Sequence, residues 1–132
     1  MSSIYRVGMN QQFSIEFENY PEHQQDKILD FVNLFKKFGL SDFSKYDGKI
    51  APSWSNLEST SPNYIYAKAN NLWHYHIGIP IYQQVHSKYK TSDVVLHFQW
   101  RSGENVIYLV DIYNHYKHDG SFYLPSFNYL AQ

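Results

Sequence analysis

Three runs of alternating apolar and polar residues in the second half of the chain confine it to a small sheet. Between Leu72 and Ile79, Trp73, Tyr75, Ile77 and Ile79 share one side of an extended backbone, with His74 and His76 on the other. Between Asp93 and Trp100, Val94, Leu96, Phe98 and Trp100 alternate with Val95, His97 and Gln99. Ser102-Gly103-Glu104-Asn105 then connects directly to a run from Val106 to Tyr113. So short a link predicts an antiparallel hairpin, since a parallel crossover needs a dozen or more residues. Pro80 ends the first run or places it at an edge.

The first half reads differently. Gln12-Phe13-Ser14-Ile15-Glu16-Phe17 alternates and predicts a half-buried strand. Pro21 then suits a first helical position, and Ile28, Phe31, Val32, Phe35 and Phe38 recur at three- and four-residue spacing up to a terminating Gly39. Residues 40–63 read as irregular or weakly helical, with turn signals at Asp47-Gly48, Ala51-Pro52 and Ser61-Pro62. Tyr82–Ser92 reads as a loop, and Ser126–Leu130 as one helical turn. The order predicts an α+β domain, an N-terminal strand and helix (or helices) packed on a small, mainly antiparallel sheet, as one unit over residues 1–132.

Composition narrows the chemistry. With no cysteine, disulfides, thiolate metal sites and cysteine nucleophiles are excluded. No segment approaches the roughly 18 apolar residues of a membrane span, and the N-terminus lacks the form of a signal peptide; a cytoplasmic protein with no membrane partner is expected. Thirteen Tyr among 19% aromatics suit a wet aromatic face on a sheet, and a Tyr- and His-rich face of that kind also fits a non-catalytic protein- or ligand-binding module. Net charge is −1, but cationic or protonatable groups (Lys68, His74, His76, His86, Lys88, Lys90, His97, Arg101) dominate 68–101. Ser53 has no nucleophile elbow around it, and Gly48-Lys49 lacks the rest of a phosphate-binding loop.

Histidine is the informative residue. His74 and His76 share a strand face, His97 lies on the polar side of the next strand, and His115 and His118 follow the last one beside Tyr113, Tyr116 and Lys117. Three readings stay open. A histidine on a half-buried face is commonly structural. A His-x-His pair with a third histidine suits a zinc-, iron- or manganese-type ion, although no acidic residue follows at a suggestive spacing. Metal-free RNA cleavage needs a base, an acid and cations for the phosphate, and Asp111–His118 offers all these residue types.

Leu72-Trp73-His74-Tyr75-His76-Ile77, Asp93-Val94-Val95-Leu96-His97-Phe98 and Val106–Ile112 resemble strands of the RelE superfamily of bacterial toxins, within it the YafO-like group. That resemblance implies a RelE-like fold and a metal-independent mRNA endoribonuclease acting at the ribosome without a cofactor, silenced by a cognate antitoxin. Carried over by position, it implies His115, His118 and His97 as proton-transfer groups and Tyr113 and Tyr116 as stacking or donating groups. Lys117, Arg101, Lys88, His74 and His76 would face RNA and its phosphates. Such toxins are typically basic, and this chain has two arginines.

Overall fold

The computed structural model describes residues 4–83, 91–117 and 119–132. Its centre is a five-stranded sheet of β1 (Arg6–Met9), β2 (Ile50–Pro52), β3 (Leu72–Ile79), β4 (Val94–Gln99) and β5 (Val106–Asn114), ordered β1-β5-β4-β3-β2. The hairpin expected from residues 102–105 is β4–β5, and β3 and β2 extend it antiparallel. β1 lies parallel to β5, in register from Arg6 opposite Val106 to Met9 opposite Leu109. The sheet is therefore mixed, with its parallel pair at one edge. No helix among the described residues is long and apolar enough to cross a membrane.

The expected long helix is present as α2 (Glu22–Phe38), with Pro21 as its N-cap rather than its first turn. Ile28, Phe31, Val32 and Phe35 are its buried residues, and they meet Tyr75, Ile77, Leu96, Phe98, Ile107 and Leu109 from the sheet. Phe31 stacks on Tyr75 with ring centroids 4.7 Å apart. Gly39 closes the helix at φ +65°, where a side chain would be strained, and its carbonyl accepts a hydrogen bond from the buried Tyr46 hydroxyl at 2.5 Å.

Two expectations are corrected. Residues 12–17 are not a strand but part of helix α1 (Gln11–Phe17); the N-terminal strand is β1, immediately before it. Phe13 and Phe17 lie four residues apart, which also satisfies a helical face, and they stack on each other while Ile15 is left 62% exposed. Tertiary packing thus chose between two periods that a six-residue window does not separate. Residues 40–63 are also more ordered than their composition suggests. They contain β2, and the Ser61-Pro62 loop signal is the start of α3 (Pro62–Ala69), where the Ser61 hydroxyl caps Tyr64 N–H at 3.1 Å.

α3 and the C-terminal segment cover part of the second sheet face. Ala67, Leu72 and Val110 form a small core there with Tyr66, Leu124, Tyr129 and Leu130. An irregularity in β4–β5 pairing, where His97 faces Asp111 but Phe98 faces Leu109, lets Val110 and Asp111 both serve this face. Beyond that cover, the face is carpeted by histidine.

Candidate metal-binding cleft

His74 and His76 alternate on β3, His97 stands directly opposite His74 on β4, and Asp111 stands directly opposite His97 on β5. His115 follows the end of β5, where its N–H donates to the Asp93 carbonyl at 2.7 Å. The chain then turns back on itself, closing through a bridge between Tyr116 and Phe122 and a hydrogen bond from Tyr123 N–H to the His115 carbonyl. This arm lays the Phe122 ring against His74 and His115, with centroids 5.6 and 5.0 Å away. Histidines from two distant parts of the sequence thereby meet at one end of the sheet.

His74, His76 and His115 offer one ring nitrogen each, all within 4.8 Å of one another. Their ring centroids are 5.6, 5.1 and 5.0 Å apart. A zinc–nitrogen bond of about 2.0–2.1 Å puts each ring centroid about 3.2 Å from the ion, so a tetrahedral pair of imidazoles has centroids about 5.2 Å apart. The rings are already spaced as a shared ion requires. The nitrogens, all within 4.8 Å of one another, would have to close to the about 3.4 Å of a tetrahedral pair. His97, 6.2 Å from His74 by the same measure, lies outside that group.

Each strand ligand has an outer hydrogen bond that fits the same use. His74 Nδ1 is 3.0 Å from the Oγ of the buried Ser53, and His76 Nδ1 is 2.9 Å from the Ser92 carbonyl. With Nδ1–H donating in both, Nε2 carries the lone pair, which is how outer partners orient metal-binding histidines. The Ser92 N–H also lies 3.1 Å from His76 Nδ1, so this tautomer is one of two the geometry admits. Ser92 is itself fixed, its hydroxyl donating to the Val94 carbonyl and accepting from Gly78 N–H.

The electrostatics keep the imidazoles neutral. Burial, then the neighbouring histidines and Lys49, hold His74 well below its usual value. Burial lowers His76 as well, partly opposed by its bond to Ser92. His115 is lowered to about 4 by burial, His76 and Lys49. Three neutral nitrogen donors at pH 7 suit a borderline cation, and the same neutrality leaves no protonated imidazole here to act as a general acid.

Above the cluster opens a cleft of about 780 Å³, lined by Lys49, Ser55, Asn56, Asn114, Tyr116 and Phe122 among others. Gly48, next to the lining residue Lys49, packs against β3 too closely for a side chain, since a Cβ there would sit 1.7 Å from the His76 carbonyl oxygen. The neighbouring Lys49 carbonyl accepts from His76 N–H at 2.9 Å, which fixes Lys49 against the ligand strand.

The structure thus brings together His74, His76, His115 and Tyr116, and disperses the other expected residues. His97 is wholly buried beneath the cluster, both ring nitrogens lacking a hydrogen-bond partner among the described residues, and burial lowers it to about 3. The Tyr113 and Tyr123 rings pack tilted with centroids 4.4 Å apart, and the Tyr123 hydroxyl donates to Asp111, which burial raises to about 6 despite that bond. Lys117 is exposed on the arm, its N–H bonded to the Ser121 carbonyl. Arg101 lies past the opposite end of β4, paired with Glu104 at 3.7 Å. At about 3.3 Å per strand residue that is roughly 20 Å from the cleft end of the sheet. Lys88 and His118 fall outside the described residues. Sequence reasoning missed Ser92, weighed Lys49 only as part of a phosphate-binding loop and considered Ser53 only as a nucleophile. Nothing in their local sequence marks them, because their places are set by pairing across the sheet.

Compared with protein-family models, curated proteins and solved structures, the chain matches none.

Proposed function

We propose that the cleft holds a divalent ion of the zinc type on His74, His76 and His115, and that the protein is a small metal-dependent enzyme. The observation that carries this reading is the meeting of three imidazoles from β3 and the arm, with ring nitrogens within 4.8 Å of one another. Three protein ligands with an open side toward a cleft are the pattern of catalytic sites, whereas structural zinc sites close all four positions. The supporting test is metal content. Protein purified without an affinity tag and given zinc binds one equivalent, and His74→Ala and His115→Ala each lose it. A wild-type protein that takes up no zinc, cobalt or nickel would falsify the reading.

A second reading is the toxin endoribonuclease implied by the RelE-like resemblance, with mRNA on the ribosome as substrate and an antitoxin as partner. Its support is topological and local. An N-terminal strand and helices precede the antiparallel strands, and Tyr116 stands in the cleft against the His115 ring with Lys117 next in the chain. It ranks second because the depressed imidazoles supply a base but no acid, and because Arg101 lies far from the cleft. Tightly controlled expression in a bacterial host separates the two. Growth arrest with new mRNA ends, abolished by His115→Ala and insensitive to chelator, favours the toxin; innocuous expression of a zinc-binding protein favours the metal enzyme.

A further inference from the structure

Both strand histidines of the proposed metal site have outer partners, Ser53 for His74 and the Ser92 carbonyl for His76. His97, on the next strand, is fully buried with both ring nitrogens lacking a hydrogen-bond partner among the described residues. Asp111, directly opposite it on β5, directs one carboxylate oxygen to Ile112 N–H and the other to the Tyr123 hydroxyl. A leucine would fill the same space with no polar group to satisfy. An imidazole kept there calls for a partner that the described side chains do not supply, and an ion is one such partner.

Resting on the metal reading, we infer that His97 is a fourth ligand of the ion held by His74, His76 and His115, and that this ion keeps a fifth position open to the cleft. His97 stands directly across from His74, so the two side chains share a sheet face, and their ring centroids are 6.2 Å apart. Imidazoles on adjacent tetrahedral positions are about 5.2 Å apart by this measure and those on opposite sides of an ion about 6.4 Å, which bracket the observed spacing. His97 also acts electrostatically on His74, and His76 and His115 act on it, so it stands near all three. Its nitrogens lie outside the 4.8 Å group, and coordination turns the His97 ring toward the ion. The cleft side stays free, because His74, His76 and His115 line the cleft and the buried His97 does not. Four imidazoles with no carboxylate suit zinc, copper, iron or nickel rather than magnesium or calcium, and zinc itself can expand to five ligands.

The test uses the full chain loaded with cobalt(II), whose visible spectrum reports its coordination number, alongside His97→Leu. X-ray absorption at the cobalt edge counts four imidazoles in the wild type and three in the variant. The visible bands, weak for a five-coordinate ion, intensify in the variant as the ion drops to four ligands. Cobalt binds the variant at least about tenfold more weakly, since losing even a group that only supports a metal ligand costs that much. The variant's Tm accordingly rises less with cobalt than that of the wild type. A count of three imidazoles in the wild type, or a cobalt spectrum unchanged in His97→Leu whatever the affinity, overturns the inference and leaves the three-histidine site standing. The wild-type count decides the question even if the variant does not fold. A wild type that binds no cobalt removes both the inference and the metal reading.

Discussion

Replacing the buried His97 by leucine should make the protein more stable, and increasingly so in acid. His97 is wholly buried, and neither ring nitrogen has a hydrogen-bond partner among the described residues. An orphaned buried polar group costs about 1–3 kcal/mol. Leucine is of similar volume and needs no partner, and a volume-conserving swap gives back less than about 1.5 kcal/mol in packing. The net expectation near pH 7.5 is a gain of about 1 kcal/mol, or about 4 °C in Tm for a chain of this size. The pH dependence sharpens it. In the folded state His97 is lowered to about 3, against a usual 6.5, so between these values the unfolded chain binds a proton that the folded chain does not. Stability is consequently lost as pH falls below 6.5. At pH 5 that loss is about 2 kcal/mol, since each pH unit is worth 1.36 kcal/mol. Leucine abolishes it, and the variant's advantage should grow to about 3 kcal/mol at pH 5. Urea unfolding at both pH values, in chelator so that no ion occupies the neighbouring cluster, measures the difference. A variant less stable than wild type by the same amount at both pH values would refute the reasoning, because it would mean that His97 has a partner and carries no proton-linked cost.

Other perturbations test the remaining links. The wild type itself should lose stability between pH 7.5 and 5 in chelator, measured by urea unfolding at both pH values. His74, His76, His97 and His115 are all held below their usual value, so each takes up a proton on unfolding as pH falls, while Asp111, raised to about 6, takes one up in the folded state and opposes the loss. Zinc at a hundred times its dissociation constant should raise stability by about 2.7 kcal/mol, measured as a Tm shift, and His76→Ala should abolish the shift. Gly48→Ala should destabilise by roughly 3 kcal/mol or more and weaken metal binding, as its Cβ would meet the His76 carbonyl carried by a ligand residue. Ser61→Ala, which removes the α3 cap, should cost about 1 kcal/mol and leave metal uptake unchanged; a loss of metal would show that α3 supports the cleft.

Much of the scaffold was legible from pattern. The α2 stripe works because a helix of 17 residues samples its period over several turns, and the β4–β5 hairpin because the link at 102–105 admits one geometry. Short elements were not legible. Seven residues of α1 fit both periods until Phe13 found its place in the core, and β2 is three residues whose strand character comes from β3 beside it. The site divides the same way. The shared face of His74 and His76 follows from alternation, but the third donor lies 39 residues beyond His76, and no spacing rule joins them. His115 was expected to transfer protons; its depressed basicity arises from burial under the returning arm, which sequence does not express.

The strand order has a temporal meaning. β5 is the last strand in the chain, yet it sits between β1 and β4. During synthesis the first strand emerges some hundred residues before its partner and must wait with one ladder unmade. The histidine that completes the cluster follows β5 immediately. A nascent chain therefore exposes His74 and His76 long before it can enclose an ion between them and His115. Closure of the sheet and completion of the cleft are one late event, so a chain interrupted before residue 106 would have neither.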